Sequence, residues 1–272
     1  MCIMKKINEI RNIVLQKLKK IIKSIIRYFT SLYWCIRNLK SFSSYLRKNH
    51  DIKVIKPIKK DKWHLGHKYF YGLDSNNVKL FIKTGGTHRL ISNEVRAISK
   101  VNEINPIDKI TPNIIAFNNE YKEDYMILEY INTKKLSEID FDNLTITERK
   151  DVIKKLLLIS QIFWNGNISH RDIRPENIFI TYNKKNEMEL LIFDFSFSVT
   201  DGLFKSDGNI PSKIYNTLGG KYKPDFNIWD DNYSLYMICK ELDSNFKKNF
   251  CDGWKILNYR MKNNILKKLG RY

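Results

Sequence analysis

Apolar residues return every three or four positions near the start of the chain, at Ile7, Ile10, Val14, Leu18, Ile21, Ile25, Phe29 and Leu32. That period puts them on one face of a helix. Lys5, Lys6, Arg11, Lys17, Lys19, Lys20, Lys23 and Arg27 fill much of the remainder, and Tyr33 and Trp34 follow. The spacing predicts a basic amphipathic helical segment over residues 1–52. Beyond it the pattern changes. "KYFYGL" and "VKLFIK" alternate and are rich in β-branched and aromatic residues, so they predict two strands joined by the turn "DSNN". "ISNEVRAISKVNEI" returns to helical spacing, and "NIIAF" and "YMILEYI" predict two further strands across the polar loop "NNEYKED". One helix among antiparallel strands makes residues 53–131 an α+β unit. Residues 132–272 are mainly helical, interrupted by the short apolar runs "IFI" and "LLIF". The chain contains no internal repeat and no low-complexity segment.

Composition narrows the class. With 272 residues, 43% hydrophobic and 13% aromatic, the chain can bury a real core and falls outside the disordered class. The formal charge of +19 predicts an anionic partner: nucleic acid, anionic lipid or a phosphorylated ligand. A genome rich in Lys, Ile and Asn codons would raise the charge as well. Cys2, Cys35, Cys239 and Cys251 form no C-x-x-C pair, which argues against a zinc site or a redox dithiol and for a reducing, cytoplasmic compartment. Lys and Arg interrupt every apolar stretch of the first thirty residues, so neither a signal peptide nor a membrane-spanning helix is predicted there.

In the first fifty residues every charge except Glu9 is basic. An apolar face beneath cations is the pattern of a helix lying on an anionic membrane surface. A helix packed on the main domain, or a short coiled coil with a solvated Lys face, has the same pattern. Nucleic acid is the weaker partner, because few aromatics interleave the charges.

Some residues carry chemistry. Phosphoryl transfer needs a cation on the phosphates, oxygen ligands for magnesium and an acceptor for a hydroxyl proton. Lys83 ends the strand "VKLFIK", and Glu94 lies on the next helix, where it could hold the ammonium. Asp172 sits in the polar turn "SHRDIRPEN", and Asn177 five residues on supplies an amide oxygen. Asp194 follows the buried run "LLIF", where an acid without a partner is costly.

In their order and spacing, "LFIK", "HRDIRPEN" and "DFS" resemble the motifs of the eukaryotic-type protein kinase superfamily. The resemblance implies a two-lobed fold, with a β-rich small lobe and a compact helical large lobe, that uses ATP and Mg2+. It implies Lys83 on the phosphates with Glu94 as its partner, Asp172 as catalytic base, and Asn177 and Asp194 on magnesium. Arg174 would neutralise the moving phosphoryl group, and Glu129 and Ile131 in "YMILEYI" would form the hinge that meets adenine through the backbone. "LGGKYKPD" resembles the end of an activation segment, and Asp231 in "DDNYSLYMICKEL" the acid that braces the catalytic loop. The implied acceptor is a hydroxyl of a protein or of a glycan.

The departures are equally specific. No G-x-G-x-x-G precedes "VKLFIK"; Gly66 and Gly72 are the glycines on offer, and His64 and His67 read as a surface turn. Ser196 stands where the D-F-G motif has Gly, which predicts a restricted swing of Asp194 because Ser resists a positive φ. Ser92 and Asn93 are candidate caps for the helix carrying Glu94. About forty residues follow Asp231, fewer than the large lobe of a protein kinase usually has. Compact C-terminal lobes also occur among bacterial kinase-like enzymes acting on lipopolysaccharide core sugars at the inner membrane face. The catalytic loop here is closer to a protein kinase's. A catalytically weak, membrane-tethered binding module is the rival reading.

Overall fold

The computed structural model describes residues 2–58, 63, 67–85, 90–118, 124–204, 212–226 and 228–264, with the backbone alone for 2–10, 12, 13 and 54. The chain divides into two compact units, Met1–Thr87 and His88–Tyr272. Mixed helix and antiparallel strand make the fold α+β.

In the first unit a single long helix, α1 (Cys2–His50), is followed by β1 (Val54–Ile58), β2 (Lys68–Leu73) and β3 (Lys79–Thr84). The three strands form an antiparallel meander in which Phe70 faces Ile82 and Lys83 faces Tyr69. The predicted turn between β2 and β3 is built by Asp74, whose Oδ1 accepts the backbone N–H groups of Asn76 and Val78 at 2.9 and 2.8 Å. Asn77 takes φ +61°, a conformation Asn tolerates better than most residues. Phe70 is fully buried, its ring 5.5–5.9 Å from those of Trp34, Phe42 and Trp63. Each such ring stabilises the unit by about 1.5–3 kcal/mol. The late part of α1 is therefore anchored on the sheet through Phe42.

The second unit runs α2 (Leu90–Ile104), β4 (Ile114–Asn118), β5 (Tyr125–Glu129), β6 (Lys134–Lys135), α3 (Ile146–Asn165), β7 (Ile168–Ser169), β8 (Ile178–Tyr182), β9 (Met188–Ile192), β10 (Val199–Thr200), α4 (Ser212–Tyr215), α5 (Asp231–Leu242), α6 (Phe246–Asn249) and α7 (Cys251–Lys262). The predicted hairpin is β4 and β5, paired antiparallel with Asn118 opposite Tyr125. A reciprocal cap starts α3: Thr145 Oγ1 accepts from Glu148 N, and the Glu148 carboxylate accepts from Thr145 N. Its apolar face, Val152, Ile153, Leu156, Ile159 and Phe163, meets Leu235, Ile238 and Leu242 of α5 and the inner residues of β8 and β9 in one core.

Two ladders position the polar segments at the edge of this core. β6, β8 and β9 form one small sheet, and β7 pairs with β10, Ser169 facing Val199. Because β7 leads into residues 170–177 and β10 follows residues 194–198, that short ladder brings the two stretches side by side.

Candidate functional site

The loop after β7 and the loop after β9 are crosslinked by their own backbones. Phe193 N–H donates to Asn177 O at 3.0 Å, and His170 Nε2 lies 3.0 Å from Phe193 O. The His170 ring is buried between Phe163 and Phe195, with the Phe195 centroid 4.5 Å away. His170 is therefore held as a core residue that ties one loop to the other.

Asp172 is the centre of the first loop. Its carboxylate is buried and fully engaged on one side: Oδ1 accepts from Gly219 N at 2.6 Å, and Oδ2 accepts from Asn177 Nδ2 at 2.9 Å and lies 3.3 Å from Arg174 Nη2. Burial pushes the acid up to about 6, and the nearby Asp194 charge adds to the rise. Arg174, the Gly219 N–H and Asn177 pull the other way. Two oxygens offer about four lone-pair sites. Three are occupied, which leaves one on Oδ1 open among the described residues.

The loop's backbone is strained and braced. Arg171 adopts φ +66°, unusual for a bulky residue. Asp231, the first residue of α5, holds it there: Oδ2 accepts from His170 N at 2.5 Å and Oδ1 from Arg171 N at 3.0 Å. The Arg171 guanidinium donates Nε–H to Phe197 O at 2.6 Å and lies 4.5, 5.7 and 5.6 Å from the rings of Phe204, Tyr215 and Trp229. Burial lowers it to about 10, so it stays a cation at neutral pH. Burial raises Asp231 to about 7 against those two N–H bonds.

Asp194 lies near the start of the second loop in a left-handed conformation, φ +63° and ψ +56°. Asp is one of the few residues that accepts it. Ser196 lies in the 3-10 turn Phe195–Phe197 that follows, and its φ is not positive. The left-handed step falls on the acid and not on Ser196. The Ser196 hydroxyl sits 2.8 Å from Asp194 Oδ1 and 3.0 Å from Glu94 Oε2. Asn93, wholly buried, donates its amide N–H groups to Ser196 O at 3.0 Å and Ser198 O at 2.6 Å. Arg96 Nη2 donates to Asn93 Oδ1 at 2.7 Å and to Leu203 O at 2.5 Å. Asn93 is no cap: α2 begins at Leu90, and the residue ties the helix to the Asp194 segment.

Of the other expected residues, Lys83 is buried near the end of β3 in the first unit. Glu129 closes β5, where its carboxylate pairs with Lys109 Nζ at 2.7 Å and accepts from Asn113 N at 2.5 Å. Ile131 is half-buried, and no backbone hydrogen bond engages it among the described residues. Gly72 lies within β2 opposite Leu80 and is not a loop glycine. His64 and Gly66 lie outside the described residues. His67 is buried, not a surface residue, with Nδ1 3.4 Å from Thr84 O.

Three contributors escaped the residue patterns. Gly219 acts through its backbone N–H at φ +73°. Asn93 looks like any polar residue of a helix, yet its partners lie 103 and 105 positions away. The aromatic surround of Arg171 is drawn from three separate stretches. The stretch "LGGKYKPD", which contains Gly219, was the one signal pointing to it.

The donor set suits magnesium. Glu94, Asp172 and Asp194 concentrate carboxylates, and Asn177 commits its amide N–H groups to Asp172, leaving its amide oxygen uncommitted among the described residues. No cluster of three or more His, Cys, Asp or Glu side chains could hold a metal by itself among the described residues. A cation here would be held by Asn177 and Asp194 together with phosphate and water oxygens, the usual magnesium pattern.

Residues 76–205 match the family model described as Protein kinase domain. Calcium-dependent protein kinase 8 of Arabidopsis thaliana is 28% identical over 136 residues, covering 47% of this chain and 25% of that protein. "Probable serine/threonine-protein kinase mkcE" of Dictyostelium discoideum is 30% identical over 114 residues, covering 39% and 16%. The chain spans a quarter or less of the length of either relative.

Proposed function

We propose that this chain, which is similar to protein kinases over residues 76–205, transfers the γ-phosphoryl group of ATP, with magnesium, to the hydroxyl of a protein serine or threonine. The carrying observation is the Asp172 carboxylate, raised to about 6 and held by Gly219, Asn177 and Arg174 with one lone pair free. At neutral pH it is ionised and still basic enough to take a proton from an incoming hydroxyl.

The acceptor oxygen forms its bond to the γ-phosphorus as the bond to the bridging oxygen of ADP breaks, and the hydroxyl proton passes to Asp172. Arg174, beside Asp172, supplies positive charge to the moving phosphoryl group. Lys83 pairs with the phosphates, Glu94 orients that ammonium, and the backbone at Glu129 and Ile131 meets adenine; the uncommitted peptide groups of Ile131 support that role. Magnesium, when bound by Asn177 and Asp194, screens the phosphate charge. Most of the acceleration then comes from positioning and preorganised charge.

Incubation with γ-labelled ATP tests the reading. Label is expected on protein serine or threonine with the wild type and not with Asp172→Asn. Label confined to glycan would move the acceptor to a surface sugar. Absence of label, with a magnesium-dependent thermal shift by ATP retained, would make the chain a nucleotide-binding module and not an enzyme.

A further inference from the structure

Helix α1 has two apolar faces, and only one of them is used. In its later part Ser31, Cys35, Phe42 and Leu46 are buried, and Phe42 meets Phe70 of the sheet. Val14, Leu18, Ile21, Ile25, Phe29 and Ile36 form a second stripe, each 49–75% exposed. At about 100° per residue the second stripe lies within an arc of about 80° whose centre is about 90° around the helix from the buried face. It is therefore not the docking face frayed free of its core: Ile36 belongs to the exposed stripe although Cys35 beside it is buried. The stripe runs for about 33 Å. Exposed apolar surface of that extent marks an interaction site.

Charge decides the occupant. Lys19, Lys20, Lys23 and Arg27 cover the side opposite the stripe, and no Asp or Glu occurs from residue 10 to residue 50. Two copies of the helix packed stripe to stripe would carry cations on every flank with no acid to pair them. Leu15, Ile22 and Ile26, each 41–57% exposed, also widen the stripe beyond the narrow seam a two-stranded coil uses. Anionic headgroups satisfy both faces: the stripe enters the acyl boundary while the Lys and Arg side chains reach back to the phosphate layer. No helix among the described residues is long and apolar enough to cross a membrane.

We propose that residues 14–36 of α1 lie flat on an anionic membrane surface and hold the chain there. This surface is independent of the phosphotransfer reading.

Flotation of the full chain with vesicles of phosphatidylcholine, with and without phosphatidylserine, tests it. The chain floats with the anionic vesicles and far less with the neutral ones, and added salt weakens the binding. Ile21→Glu with Ile25→Glu, and separately Lys19→Glu with Lys23→Glu, each reduce binding by about tenfold or more, with the thermal midpoint unchanged because all four side chains are solvent-facing. The proposal is overturned if the wild type stays with the unbound fraction at low salt, or if the Ile21→Glu with Ile25→Glu variant floats as well as the wild type. It is equally overturned by a wild-type dimer that this variant dissociates while vesicles bind neither, or by retention of RNA in place of vesicles.

Discussion

The Ser196 hydroxyl lies 2.8 Å from Asp194 Oδ1 and also reaches Glu94 Oε2 at 3.0 Å. A hydroxyl carries one proton, so it donates to one carboxylate at a time and keeps both oriented. Ser196→Ala removes that link and leaves two acids facing each other. Hydrogen bonds to charged groups contribute about 1.5–3 kcal/mol, so the expected loss in kcat/KM for magnesium-ATP is about tenfold or more. The magnesium concentration for half-maximal activity should rise with it. A magnesium titration unchanged by Ser196→Ala would show that the hydroxyl does not orient Asp194.

Asn93 gives a stability prediction. Its two N–H groups satisfy the carbonyls of Ser196 and Ser198 in a fully buried setting. Asn93→Ala strands both acceptors and should cost about 2–4 kcal/mol. Asn93→Asp should be worse than Ala, because it sets carboxylate oxygens against the same two carbonyl oxygens. Urea denaturation checks the order; Asp equal to or better than Ala contradicts the assigned contacts.

Asp172 links activity to pH. In the proposed role of base its carboxylate must be ionised, and burial raises it to about 6. Acceptor kcat/KM should therefore climb as pH rises through about 6 and then level. Asp172→Asn should lower kcat by about 100-fold or more. A flat profile between pH 5 and 8, or a variant within a few-fold of the wild type, argues against this base.

The same shift has a stability consequence of opposite sense. The folded acid holds its proton more tightly than the unfolded chain, whose value is the ordinary 3.8. Stability is therefore lost as pH rises from the unfolded value through about 6, and stays lost above it. Asp172→Asn removes the charge, so above neutrality the variant should be the more stable by about 1–3 kcal/mol. The gap closes as pH falls toward 4. A variant less stable than the wild type at pH 8 would mean that the bonds to Gly219, Asn177 and Arg174 outweigh desolvation.

The sequence carried the frame of this site because the frame is local. "KYFYGL" and "VKLFIK" became β2 and β3 across an Asp74 turn, and "IFI" and "LLIF" fall in β8 and at the end of β9. Asp172 and Asn177 are five apart in one loop, so their contact follows from spacing. Asn93, Gly219 and the rings around Arg171 were not legible, since each acts on a partner distant in sequence and one acts through its backbone. At Ser196 the structure adds a local detail. The positive φ belongs to Asp194, and residue identity alone did not say which position carries the left-handed step.

Asp231 offers the sharpest separation of positioning from binding. Its two oxygens accept two adjacent backbone N–H groups, one of them from Arg171 at φ +66°. Asn at this position keeps one acceptor and turns an NH2 toward the other N–H. One buried donor is then unsatisfied, at about 1–3 kcal/mol, and the left-handed step, worth about 1–2 kcal/mol, loses part of its support. Asp172 is the next residue in the loop, so relaxation at Arg171 moves the proposed base directly. Asp231→Asn should therefore lower kcat by at least about tenfold, because misplacement of a catalytic group by an ångström has effects of that order. The groups assigned to nucleotide, Lys83, Glu129 and Ile131, do not depend on this brace, so the thermal shift given by magnesium-ATP should persist. Parallel loss of the shift and of turnover would mean that Asp231 holds the whole domain together and not the loop.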